Sequence, residues 1–224
     1  AHIALAENQV FTKVIEMPVL SDKELASAIK WEAEQYIPAA LTTMTLDHVK
    51  LKEIQTPSGP RMLVLLVAAP TTLIKRYQQV LEMAGLSIAS IETEILSIVR
   101  SSVPQDATPT RFLAHIGTLS TSFAIVQQGT IIFTYSIPVG GLAIDRAIAS
   151  DFGFSLQQAE EYKKTYGVEK ENLSGKIGKA IGPILSTIVL ETKKALAFYK
   201  EKYQQEYPIE QIMLSGGSAN VPGI

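Results

Sequence analysis

Between Phe112 and Gly141 the chain reads FLAHIGTLSTSFAIVQQGTIIFTYSIPVGG. An apolar run ends in His115-Ile116-Gly117, and a turn bearing the hydroxyls of Thr118, Ser120 and Thr121 opens a second run. A third run follows Gln127-Gln128-Gly129, and the segment closes on Gly140-Gly141. Hydroxyls and backbone amides bind phosphate oxygens, and glycine permits the close approach such a turn requires. Oxyanion binding is therefore the chemistry expected of Gly117, Thr118, Ser120, Thr121, Gly140 and Gly141, with a plain hairpin turn as the alternative. A second glycine cluster, Ser215-Gly216-Gly217-Ser218, lies near the carboxyl end. His115 is the titratable group at the turn, and alone at a strand end it reads as a half-buried, hydrogen-bonded residue rather than a catalytic base.

The elements that must position these residues are readable from periodicity. Three short runs joined by tight turns predict a β-meander. Ahead of it, His2–Ala6 and Val10–Met17 read as strands. Ser21 with Glu24 forms a capping box that starts a helix running to Tyr36, with Leu25, Ile29, Ala33 and Tyr36 on one face and Pro38 as its stop. Strands are expected at Thr45–Ile54 and Arg61–Ala68, and a helix from Pro70 carries Leu73, Ile74, Tyr77, Val80, Leu81 and Ala84 on one side, closed by Gly85. Leu86–Ile91 is expected to be a strand, followed by a short helix to Val103 and a linker at Pro104–Thr110. After the meander come helices at Leu142–Asp151 and, capped by Ser155, at Leu156–Tyr166. A long amphipathic helix then ends near Tyr203, its regular part started or kinked by Pro183, and a last strand spans Ile209–Leu214.

Composition narrows the function classes. The 224 residues are 46% hydrophobic and 19% charged, a globular balance, with a net charge of −2 that offers nucleic acid or anionic lipid no attraction. With no cysteine, thiolate metal sites and thiol nucleophiles are excluded, and the three histidines show no metal-ligand spacing. No apolar run approaches the roughly 20 residues of a membrane-spanning helix, and no signal peptide is visible. The Glu32/Glu34 pair reads as a solvated or partner-facing helix edge, the Lys193-Lys194 and Lys200/Lys202 charges as the exposed side of the long helix, and Trp31 either as an interface anchor or as buried packing. The chain starts without Met at a strand and stops just after a glycine motif, so it is expected to be part of a longer protein.

Three motifs in order, HIGTLSTSFAIVQQG…PVGG, SLQQAEEYKKTYG and IMLSGGSANVPGI, resemble the actin-like ATPase superfamily. The first resembles its second phosphate hairpin and the last its adenosine loop. The middle one resembles the helix whose Glu and Lys contact the nucleoside, here Glu160 and Lys163. The segments TKVIEMP, ELASAIKWEAEQYIP and LVLLVAAP are similar to the PilM family of type IV pilus assembly.

That resemblance implies an α/β actin-like (ribonuclease H-like) fold with an α+β inserted subdomain shared in shape with FtsA. Its expected layout is the end of a first core subdomain at 1–6, the insertion at 7–85, a return with linker at 86–110, and a second lobe at 111–224. It also implies ATP with Mg²⁺, held between the 117–121 hairpin and Gly216, Gly217 and Ser218, with the first phosphate loop before residue 1. The implied role is a cytoplasmic adaptor that docks a PilN-type peptide, with other pilus platform and motor proteins as further partners, peripheral to the inner membrane. An active ATPase or kinase, or an FtsA-like filament protein, remain as alternatives. Where the family carries Asp for Mg²⁺, this chain carries His115, and neutral imidazole is a poor ligand for that cation. The resemblance therefore implies weakened metal-assisted hydrolysis.

Overall fold

The computed structural model describes residues 1–37, 39–104, 109–169, 175–203 and 208–224, and the side chains of all of these except 202–203. Pro38, most of the Pro104–Thr110 linker and the side chain of Lys202 lie outside this description. The strands and helices in chain order are β1 (His2–Leu5), β2 (Phe11–Pro18), α1 (Asp22–Tyr36), β3 (Met44–Thr56), β4 (Gly59–Pro70), α2 (Thr71–Met83), β5 (Ser90–Thr93), α3 (Glu94–Ser102), β6 (Thr110–Ile116), β7 (Thr121–Gln127), β8 (Thr130–Ile137), α4 (Gly141–Phe152), α5 (Leu156–Tyr166), α6 (Lys176–Tyr203) and β9 (Ile209–Ser215). They divide into two compact units, one of residues 1–108 with 126–134, the other of 109–125 with 135–224.

In the first unit β2, β4 and β3 form an antiparallel sheet in that order, with β4 central. Alternation along β4 sends Met62, Val64, Leu66 and Ala68 to one face, where they meet Ile15 and Met17 of β2 and the Leu25, Ile29 and Ala33 stripe of α1. Leu63 and Leu65, which point the other way, are also buried, so β4 reads as a continuous apolar run rather than an alternating one. Ser21 and Glu24 make the capping box at the start of α1. α2 ends in a Schellman turn: Gly85, at φ +72°, donates to the Glu82 carbonyl, and Leu86 donates to that of Leu81. β1 and β5 pair in parallel beside Val10, Leu73, Ile74, Tyr77 and Ile88. The far end of the β7–β8 hairpin belongs to this unit: Lys52 Nζ donates to Gln127 Oε1, and Thr134 Oγ1 donates to the Thr12 carbonyl at 3.0 Å.

Glu7 is buried between β1 and β2, and its Oε1 accepts the Ile95 amide in the first turn of α3 at 3.1 Å. Burial raises its pKa above the ordinary carboxylate range, only partly offset by hydrogen bonding to Ile95, Thr93 and Thr12. A raised folded-state pKa means the folded chain binds the proton more tightly than the unfolded one. The associated stability is present at low pH and is lost as pH rises from the ordinary carboxylate range through the folded-state value. Glu7→Gln, which keeps an oxygen acceptor for Ile95, is expected to raise the melting temperature at pH 7. Its curve and that of the parent should converge toward pH 4, as thermal melts across that range would show.

The four-stranded sheet, which apart from the far end of the β7–β8 hairpin belongs to the second unit, has the order β8-β7-β6-β9, with β9 parallel to β6 and the meander as expected. All seven residues of β7 are buried. Phe123 stacks between Phe112 and Tyr135 with centroids 5.7 and 6.1 Å away. α4, α5 and α6 pack through Ile144, Ile148, Ala159, Ile177 and Ile181. Ser155 and Gln158 form the capping box of α5.

Four expectations change. The strand predicted for Leu86–Ile91 begins only at Ser90, because Leu86 is still held by the helix cap and pairing waits for the register with His2. Val80, assigned to the apolar face of α2, is 64% exposed, and Ala84, assigned to the same face, is exposed too. Of the two roles open to Pro183, starting the long helix is excluded, because it lies inside α6, where its missing amide leaves the carbonyl one turn earlier without a helical donor. Trp31, at 75% exposure, is not buried packing.

Candidate functional site

The residues singled out in the sequence fall in the second unit, around the end of β6 where the chain turns into β7. Gly117 donates its amide to the Ser120 carbonyl at 3.0 Å and closes the turn. The start of α4 clamps that turn from the side: Gly141 N–H donates to the Gly117 carbonyl at 2.8 Å and Leu142 N–H to that of Thr118 at 2.9 Å. Gly140 allows the approach. A Cβ there would stand 2.6 Å from the Gly117 oxygen, 2.7 Å from that of Thr118 and 2.8 Å from the Ser120 nitrogen. Thr121 Oγ1 donates to the Val139 carbonyl at 2.7 Å, which fixes the same two segments one step further on. These bonds use the turn's carbonyls, and among the described residues no backbone hydrogen bond is donated by Thr118, Leu119 or Ser120.

The glycine cluster after β9 adjoins the turn from the other side. Gly216 sits at φ +91°, and a Cβ there would fall inside contact distance of the Ile116 carbonyl. Both the backbone angle and the space therefore demand glycine. Gly217 opens a 3-10 turn, Gly217–Asn220, in which Ser218 is buried. One strand position earlier, Ser215 and His115 are register partners across β9 and β6, and His115 Nδ1 shares a hydrogen bond with Ser215 Oγ at 3.0 Å. His115 is thus the half-buried, hydrogen-bonded residue that its isolation suggested.

α5 supplies the cation. Lys163 is 6% exposed, and its Nζ stands 2.7 Å from Asp145 Oδ1 and 3.5 Å from the Gly141 carbonyl. A Cβ on Gly141 would meet Ser218 Oγ at 2.6 Å and Lys163 Nζ at 3.4 Å, so the hydroxyl, the ammonium and the first residue of α4 converge on one small space. Glu160 is not part of this group. It lies in solvent, paired with Lys164 at 2.8 Å, and the hydrogen bond from that lysine holds its carboxyl below the usual range. The end of α5 is joined to the same loop by Val168 N–H, which donates to the Pro222 carbonyl at 2.9 Å.

Asp145 escaped the sequence reading. Its signal was present: it lies within one helical turn of Ile144 and Ile148, on the side of the helix their spacing buries, and a buried acid requires a partner. Among the described residues no three His, Asp or Glu side chains converge to hold a metal ion. With His115 bonded to Ser215 and Asp145 held by Lys163, the donor set does not fit Mg²⁺ bound directly by the protein. Backbone amides, hydroxyls and glycine edges do fit an oxyanion. Among the described residues no helix is long and apolar enough to cross a membrane.

Residues 1–224 match the sequence family described as type IV pilus assembly protein PilM. The fold superposes on a chain of the PilM-PilN type IV pilus biogenesis complex with a TM-score of 0.80 and 26% identity, covering 99% of this chain and 64% of that one. MreB5 of Spiroplasma citri bound to ADP shares the fold at a TM-score of 0.53 and 19% identity, over 68% of this chain and 56% of its own. The ethanolamine utilization protein EutJ of Escherichia coli is 26% identical over 145 residues, 65% of this chain and 45% of that protein. The chain thus spans less than half of this curated relative. The fold is that of the actin-like ATPases.

Proposed function

The chain belongs to the PilM family of type IV pilus assembly proteins, and from that premise we propose that it is a nucleotide-binding adaptor of the pilus inner-membrane platform. It docks the short amino-terminal peptide of a PilN-type membrane protein and is held at the cytoplasmic face of the inner membrane through that partner. The carrying observation is the likeness, along 99% of the chain, to the PilM-PilN complex. The second unit supports the nucleotide half of the reading. ATP phosphates would lie against Gly117, Thr118, Ser120 and Thr121 beside Gly140 and Gly141, with Gly216, Gly217 and Ser218 flanking the nucleoside together with Lys163.

Among the described residues no free carboxylate stands at the turn, and this favours sensing over turnover, since a protein-bound metal is what would neutralise charge developing on transferred phosphate. Nucleotide can bias the partner only by binding two states of the protein unequally.

Calorimetry tests both halves on the longest natural form of the protein. A synthetic PilN-type amino-terminal peptide is expected to bind, with an affinity that ATP shifts several-fold, while phosphate release stays near background with Mg²⁺ present. Steady ATP hydrolysis abolished by Gly216→Ala would replace the adaptor with an enzyme. ATP-dependent light scattering without peptide binding would replace it with a filament protein.

A further inference from the structure

Lys163 is the most buried charged residue of the second unit among the described residues, yet its hydrogen bonding is poor. An ammonium has three donors. Here one is spent on the Gly141 carbonyl at the long distance of 3.5 Å. The ion contact to Asp145 is close, at 2.7 Å, but among the described residues Asp145 Oδ1 has no well-angled hydrogen-bond donor, so charge more than directed bonding holds the pair. Both residues are more than nine-tenths buried, and Ser218 Oγ borders the same space in front of Gly141. A buried ammonium with unspent donors, next to a buried hydroxyl, is a recognition group waiting for an acceptor.

We infer that Asp145 is an internal competitor for Lys163, and that a nucleoside enters this site only by drawing the ammonium away from it. The inference rests on the nucleotide reading above and adds a residue that sets affinity from behind the ligand. Asp145, on the second turn of α4, fixes where Lys163 waits, and the ligand's ribose or base oxygens supply the directed acceptors the carboxylate does not. Asp145 is therefore a positioning residue, and its cost is charged to the nucleoside part of the ligand alone.

Asp145→Asn keeps the side-chain shape and weakens the hold on Lys163. Titration calorimetry of the full chain and of this variant with adenosine, ATP and inorganic tripolyphosphate separates the possibilities. The expected result is a roughly tenfold gain in adenosine affinity, about 1.4 kcal/mol, a comparable gain for ATP, and no such gain when Lys163→Met is the background. Asp145→Ser should show the same direction, which covers a folding defect specific to Asn. A gain for tripolyphosphate and ATP with adenosine unmoved would overturn the inference, because removing a negative charge helps any anion through space. Unchanged or weaker adenosine binding in a folded variant overturns it as well. If neither parent nor variant binds any nucleotide, the nucleotide reading itself fails, and this inference falls with it.

Discussion

Gly216→Ala is expected to destabilise the second unit by about 3 kcal/mol or more and to remove nucleotide binding. Two penalties combine. The left-handed backbone at φ +91° costs a non-glycine residue about 1–3 kcal/mol. The new Cβ would also press on the Ile116 carbonyl, a backbone atom that cannot rotate aside, and overpacking of this kind adds about 1–3 kcal/mol. Relief requires β9 or the end of β6 to shift, and that shift carries with it the turn beginning at Gly117. Thermal denaturation should show the loss, and amide exchange should place it in β6 and β9. A variant that melts with the parent would mean the loop is not seated against Ile116.

Leu66→Ala is the counterpart in the first unit. Leu66 is fully buried on the α1 side of β4, among Met17, Ile29 and Val64. Truncation removes transfer energy and leaves a cavity, for a cost of about 2–5 kcal/mol. Urea denaturation should register it as a lower midpoint, and faster exchange is expected in β2, β4 and the buried face of α1. The same variant should lose affinity for a PilN-type peptide if the three-stranded sheet shapes the docking surface.

Local signals in the sequence were reliable where local chemistry decides the structure. Ser21 with Glu24 starts α1, Ser155 starts α5, and Gly85 ends α2, because in each case the partners are within a few residues. The meander was legible for the same reason, from the two turns that join its strands. The first residues of the Leu86–Ile91 segment were misread because a hydrophobic run does not reveal that its first member is already held by a helix cap. Val80 shows a related limit: Leu73, Ile74 and Tyr77 of the same face are packed, and periodicity does not tell how far round or along a helix the packing reaches.

At the candidate site the glycines and hydroxyls were visible as a composition anomaly, whereas the Asp145–Lys163 pair was not. Its partners come from different helices, and only packing brings them to 2.7 Å. The expected grouping of Glu160 with Lys163 rested on helical spacing alone. That spacing puts both on α5, but one side chain is buried and the other lies in solvent.

The division of the β7–β8 hairpin between the two units has a consequence for any attempt to dissect the protein. The polypeptide passes between units at 108/109, 125/126 and 134/135, so no single cut yields either unit whole. A piece ending at 108 would deprive Lys52 and the Thr12 carbonyl of Gln127 and Thr134. The complementary piece would carry the far end of the hairpin, including buried Val126, Ile131 and Ile132, without the rest of the unit to which it belongs. The two units are therefore entangled in covalent order, and their folding is expected to be coupled, with closure of the first waiting on synthesis of a strand pair that starts in the second.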